Sequence, residues 1–137
     1  MNILKVLKKQ TQQQSKSFTP RVPSGLIAHT EKGYYYIKGA KRFKFVSEKA
    51  MHTWGLGIIK TTEAAMINFP IVGSLGLRDG TLAKDISDGR IYLISDSKRR
   101  HIVDPDVLEW INLKTIIVGQ KEIDAHTEGE PLNGNNT

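Results

Sequence analysis

The sequence contains no cysteine, which removes disulfide frameworks, thiolate metal sites and cysteine nucleophiles together without fixing a compartment. Long apolar runs are also missing. The longest, such as residues 57–59 and 115–118, are a few residues each, so no segment reads as a bilayer-spanning helix. The opening Met1-Asn-Ile-Leu-Lys-Val-Leu-Lys-Lys has an apolar core too short for a secretory h-region. At 137 residues there is room for one modest domain or two very small ones, not for a Rossmann, barrel or kinase scaffold. Acidic residues are absent from residues 1–23, which carry Lys5, Lys8, Lys9, Lys16 and Arg21. Over residues 24–137 the remaining 15 basic and 14 acidic side chains nearly cancel. The basicity therefore belongs to an arm rather than to a face of the body, which points to docking on an acidic surface.

Residues 1–23 read as a basic arm and linker. Ile3, Leu4 and Leu7 fall at helical spacing, with Lys5, Lys8 and Lys9 largely off that face, enough for two turns of amphipathic helix. So short a helix is marginal alone, which makes it a candidate for ordering on a partner. Residues 10–24 have no periodicity and read as an extended linker. Residues 133–137 read as a flexible tail.

Between these ends the sequence repeats itself. At an offset of 57 and without a gap, Tyr35 meets Tyr92, Ile37 meets Ile94, Lys41-Arg42 meets Lys98-Arg99, Phe45 meets Ile102 and Val46 meets Val103. The register runs on through Met66 on Ile123 and Leu75 on Leu132, while upstream Gly25-Leu26 falls on Thr81-Leu82 after a one-residue slip. So many matched chemistries in one register define two tandem modules, 24–75 and 79–132.

Each module reads as α+β. Residues 26–28, 34–37 and 41–46 are short, aromatic or β-branched, and separated by turns holding Gly33 and Gly39, the signature of a small antiparallel meander. Ser47, and in the second copy Asp104 followed by Pro105, then stand as N-caps of a helix. That helix aligns Ala50, Met51 and Trp54 (Val107, Leu108 and Ile111) on one face and stops at Gly55 or Asn112. Residues 58–59 and 116–118 suggest a further strand, and 62–68 and 119–125 a second short helix. A core this thin calls for packing against the other copy or a partner.

The second copy also resembles a known module. The run Asp79-Gly80-Thr81-Leu82, then Gly89-Arg-Ile-Tyr92-Leu-Ile, then Lys98-Arg99-Arg100-His-Ile102 and Pro105-Asp-Val107-Leu108 is similar to a tandem repeat of bacteriophage virion and tail-associated proteins and of some bacterial surface proteins. The first copy departs from it: Phe43 stands at the place of Arg100, and the Asp-Gly-Thr opening is missing. The resemblance implies a non-catalytic surface or structural role in a virion, with no catalytic residues to carry over.

Candidate chemistry is sparse. His29, His52, His101 and His126 share no ligand spacing and read as surface histidines, so neither a metal nor a cofactor is expected. Asp79, Asp85 and Asp88 lack the alternation of a calcium loop and read as turn residues. Glycines 73, 76 and 80 lack the lysine and hydroxyl residue of a phosphate loop. No nucleophile-elbow motif is present, and catalysis is not expected. The repeated basic residues carry more weight. Lys41-Arg42 and Lys98-Arg99-Arg100 lie on equivalent strands beside Tyr35 and Tyr92. They fit either a solvated strand face with an arginine tying the hairpin to an acidic neighbour, or a repeated anion-contacting surface.

Three functions from different classes fit. The first is a structural or adhesion protein of a bacteriophage particle, its arm docking through Ile3, Leu4, Lys5, Leu7, Lys8 and Lys9 onto another virion protein of a multi-copy assembly. The second is a module binding carbohydrate, such as a host-surface glycan, through Tyr35, Tyr92 and the basic residues. The third is a nucleic-acid binder acting through the arm, the least favoured because the body is near neutral. The first is preferred.

Overall fold

The computed structural model describes residues 22–134, mixed α and β in composition. The arm residues Ile3, Leu4, Lys5, Leu7, Lys8 and Lys9 lie outside the described residues, as does most of the expected tail. Two sheets account for the described chain. In the first, β1 (Ile27–Thr30), β2 (Gly33–Lys38) and β3 (Lys41–Phe45) form the antiparallel meander, and β4 (Ile58–Lys60) and β5 (Ile71–Leu75) flank it in the order β4-β1-β2-β3-β5. The second orders β6 (Leu82–Asp85), β7 (Ile91–Ser95), β8 (Lys98–His101) and β9 (Thr115–Val118) as β8-β7-β6-β9. Helices are short: α1 (Glu48–His52), α2 (Pro105–Trp110) and α3 (Gln120–Asp124). None of the described helices is long and apolar enough to cross a membrane.

The ladders of the two sheets correspond pair by pair. Tyr35 faces Lys44 as Tyr92 faces His101, and Ile37 faces Arg42 as Ile94 faces Arg99. Ile58 lies beside Ile27 as Thr115 lies beside Leu82. Even the outer edge recurs: β3 pairs Arg42 with Ile71 and Phe45 with Leu75, while Arg99 bridges Glu128 and Ile102 bridges Leu132. The first strand is offset differently. Gly25 N–H bonds to Ile37 as Gly80 N–H bonds to Ile94, so the slip there is two residues, not one. The extra residues sit in the β6–β7 hairpin, where Asp85 meets Arg90 at the place Thr30 meets Gly33.

Each sheet has both faces covered, as alternation along strands allows. On one face of the first sheet Ala28, Tyr35 and Ile37 pack under Met66 and Phe69; on the other Ile27 and Phe45 pack under Met51 of α1 and Trp54. In the second sheet Ala83, Tyr92 and Ile94 lie under Ile123, and Leu82 and Ile102 under Val107 of α2. Val22 plugs the first of these clusters, and Leu77 plugs its counterpart. Both residues fall outside the boundaries 24 and 79 read from the sequence, because a residue just upstream of the first strand folds back onto the sheet.

The helix starts agree with the sequence. Ser47 Oγ accepts from Ala50 N–H at 3.0 Å, and Asp104 accepts from Asp106 N–H at 3.0 Å with Pro105 in the first turn. Gly55 takes φ +60 after α1, but Asn112 has no left-handed backbone, and α2 ends through extended Ile111. Residues 62–68 form hydrogen-bonded turns instead of the expected helix, with Met66 N–H on Thr62 and Glu63 carbonyls. The segment ends at Phe69, whose C=O is taken by Arg42 Nε–H, and Pro70 has no N–H to extend a helix beyond it. The further strands expected at 58–59 and 116–118 form as β4 and β9, but β5 and the parallel pairing of all three were not expected, since a short apolar run does not disclose which distant strand it joins or in what direction.

Candidate functional site

The repeated basic and aromatic residues separate by burial. Tyr35 is 1% exposed, Tyr92 6% and Arg42 6%, so none of the three offers a surface to a partner. The physical reason is the second covering layer: residues 62–69 and α3 roof the sheet face on which these side chains stand. Lys41 and Lys98 are exposed at the turn end of their strands. Arg100 is half-buried and donates from Nε to Glu130 C=O at 2.8 Å.

Arg42 belongs to a closed polar network. Its guanidinium lies 4.5 Å from the Tyr35 ring centroid, donates to Glu63 Oε1 at 2.9 Å and to Phe69 C=O at 2.7 Å. Glu63 also accepts from Thr30 Oγ1 at 2.6 Å. Burial pushes the Glu63 carboxyl up, but the Thr30, Arg42 and Tyr35 hydrogen bonds and the Arg42 charge outweigh it, and the carboxyl ends below its ordinary value. Burial, then the hydrogen bond to Glu63, push the Tyr35 phenol above its ordinary value. A carboxylate so fully engaged is a tie, not a free base.

Arg99 does the equivalent task with different partners. It donates to Ile123 C=O at 3.1 Å and to His126 C=O, the places of Met66 and Phe69 in the first sheet, with its guanidinium 6.0 Å from the Tyr92 ring centroid. Gln120 stands where Glu63 stands, and the buried acid moves to Asp85, at the place of Thr30. The Ser87 N–H, then the Ser87 hydroxyl, hold the Asp85 carboxyl below its ordinary value against burial, with the Arg90 and Arg99 charges adding to them. Asp79 and Asp88 likewise accept turn N–H groups, from Ser97 and Arg90, as the turn reading expected.

The sheets pack on each other, as their thin cores lead us to expect, through a junction whose residues the sequence did not disclose. Ala50 of α1 is fully buried in the cluster of Leu77, Ala83, Tyr92, Ile94, Val118 and Ile123. Lys49 Nζ donates to Ile117 C=O at 2.7 Å on the outer edge of β9. Ser47 hydrogen-bonds Glu122, whose carboxylate also accepts Gly119 N–H at 2.8 Å. Burial raises the Glu122 carboxyl, but these bonds, its own N–H and the Lys49 charge together bring it below its ordinary value. Trp54 Nε1–H donates to Gly76 C=O at 2.9 Å.

His126 fastens the connector, the chain between β5 and β6. Expected at the surface, it is 1% exposed: Leu77 N–H donates to its Nε2 at 2.9 Å, and its Nδ1 lies 2.6 Å from Ser97 C=O. Gly76 is required there, because a Cβ on it would stand 2.5 Å from His126 Nε2. The sequence signal available was positional, His126 falling on the apolar Phe69 at the repeat offset. Among the described residues no cluster of His, Asp or Glu could hold a metal ion. No family model, curated protein or solved structure matches the chain.

Proposed function

We propose that the chain is a non-enzymatic structural protein of a bacteriophage particle: two tandem copies of one scaffold module, with the basic segment before them docking on a neighbouring virion protein. The observation that supports the two-copy reading best is the recurrence of one bond: Arg42 donates to Phe69 C=O and Arg99 to His126 C=O, donor and acceptor both displaced by the same 57 residues as the β2–β3 ladder. A side chain bonding the corresponding carbonyl in both sheets supports the reading of one fold used twice. The virion assignment rests on the resemblance of the second module to the phage repeat. The buried charged groups Arg42, Asp85 and Glu122 are engaged in holding a roofing segment, a hairpin and the junction respectively, which suits a scaffold. The carbohydrate reading loses Tyr35 and Tyr92, since both rings lie in the core.

The test is incorporation. Deleting residues 1–21, which spares the core residue Val22, is expected to leave a cooperatively folding body that no longer enters particles. Normal incorporation of the truncated chain refutes the docking role, and absence of the full chain from purified particles refutes the virion assignment.

A further inference from the structure

The junction between the two sheets is a donor surface meeting an acceptor surface, and the rim of each occurs a second time without a described neighbour, although Val107, at the place of Ala50, packs into its own sheet. On the donor side, Val46, Lys49 and Thr53 have Val103, Asp106 and Trp110 at the repeat offset. Val103 and Trp110 are 49% and 62% exposed. On the acceptor side, Thr115, Ile116 and Ile117 of β9 have Ile58, Ile59 and Lys60 of β4. All three β4 residues are exposed, and β4 is the outermost strand of its sheet. The connector cleft recurs too. A cleft of 310 Å³ by Leu77, Asp79 and Ser97 is walled on its far side by Trp54 and Gly76. Its counterpart, 370 Å³ by Val22, Ser24 and Ala40, has no wall corresponding to Trp54 and Gly76 among the described residues.

We propose that a second copy of this chain docks head to tail, its α2 surface seated on β4 as α1 seats on β9. Charge selects this occupant. Inside the chain the donor brings a cation, Lys49, and the acceptor an anion, Glu122. At the open ends the signs are exchanged: the donor carries Asp104, Asp106 and Glu109, while the acceptor has Lys60 at the place of Ile117 and uncharged Ala65 at the place of Glu122. An Asp106 arriving where Lys49 arrives meets the strand position of Lys60, and Asp104 meets no acid. Trp110 arrives over the groove edge where Thr53 lies beside Thr115 and Ile116, and in the copied junction that edge is Ile58 and Ile59. Such an interface is heterologous, so it propagates into a ring or a filament instead of stopping at a symmetric pair. This rests on the two-copy reading above and suits a multi-copy assembly.

Sedimentation of the full chain over a concentration series tests it, with Asp106→Lys and Lys60→Glu as separate variants. Both changes are on exposed side chains, and unchanged thermal midpoints verify folding. The wild type is expected to grow in mass with concentration, and each variant alone is expected to lose association. An equimolar mixture of the two variants offers the native charge pair at one contact and its reversed counterpart at the next, so it is expected to recover association and to grow with concentration. A wild type that stays monomeric, a mixture that stays monomeric, or association unaffected by either variant overturns the proposal. Association lost only when residues 1–21 are removed also overturns it, by making the arm the occupant. A monomeric wild type that still enters particles sinks the head-to-tail contact alone and leaves the virion role standing.

Discussion

Replacing Arg42 by alanine decides whether the basic strand residues are scaffold or contact surface. The Arg42 and Glu63 side chains are only 8% and 19% exposed. Truncation strips Glu63 of its cation, leaves Phe69 C=O without its Nε–H donor and removes the cation from the Tyr35 ring. Breaking a buried ion pair from one side costs about 3–5 kcal/mol. Glu63 keeps Thr30 and Tyr35 as donors and has some access to water, which places this case near the lower end, about 3 kcal/mol. For a chain of this size each kcal/mol moves the midpoint by about 3–5 °C, so thermal unfolding should fall by roughly 10–15 °C. Lys41→Ala, one residue away and exposed, should stay within about 0.5 kcal/mol. The double variant Arg42→Met with Glu63→Gln should recover much of the loss, since it removes the charge left unpaired. Chemical denaturation of all four proteins is the assay. An Arg42→Ala protein within about 1 kcal/mol of wild type would refute the network reading, well outside the extrapolation error of a matched series.

Other outcomes follow from the same contacts. Arg99→Ala should cost less than Arg42→Ala, about 1–2 kcal/mol, because its head bonds carbonyls and leaves no carboxylate directly unpaired; a calorimetric comparison of the two checks this. Gly76→Ala should cost about 1–3 kcal/mol by forcing the Cβ against His126, and a double-mutant cycle in which it costs less beside His126→Ala would trace the loss to that contact. Ser47→Ala should cost about 1 kcal/mol or more, as it removes both the α1 cap and a donor to Glu122. Glu63, Asp85 and Glu122 all have carboxyls below their ordinary values. Their stabilisation is therefore fully present above the unfolded-state carboxylate range and is lost as pH falls through the lower folded values. Unfolding free energy should drop steeply on acidification below that range, and Glu122→Gln should flatten part of the slope.

Much of the meander was legible because short aromatic and β-branched runs alternate with glycine turns, and because Ser47 and Asp104-Pro105 carry the chemistry of a helix start. The repeat exposed the equivalence of Arg42 and Arg99 but not their surroundings. Tyr35 and Tyr92 read as contacts since one face of a small sheet was assumed open, whereas a roof made of residues distant in sequence closes it. Glu63 was missed as the partner of Arg42 for the same reason: no local spacing links them. The β6–β7 hairpin hid the true slip, as two added loop residues leave the alternation on either side intact. His126 read as a surface group because a buried imidazole is recognised only by what bonds each nitrogen, here an amide and a carbonyl from separate loops.

Val22 and Leu77 have a practical bearing on dissecting the molecule. Each precedes the first strand of its sheet and stops a hole floored by alanine and tyrosine. A gene fragment cut at Asp79 would thus express the latter half with its stopper missing and an oily pit open to solvent, inviting precipitation that says nothing about autonomy. Cutting ahead of Leu77 keeps the stopper, although His126 then holds the loose beginning of the fragment. Any half of the chain cut out for grafting should accordingly begin ahead of its first strand, at Val22 or Leu77.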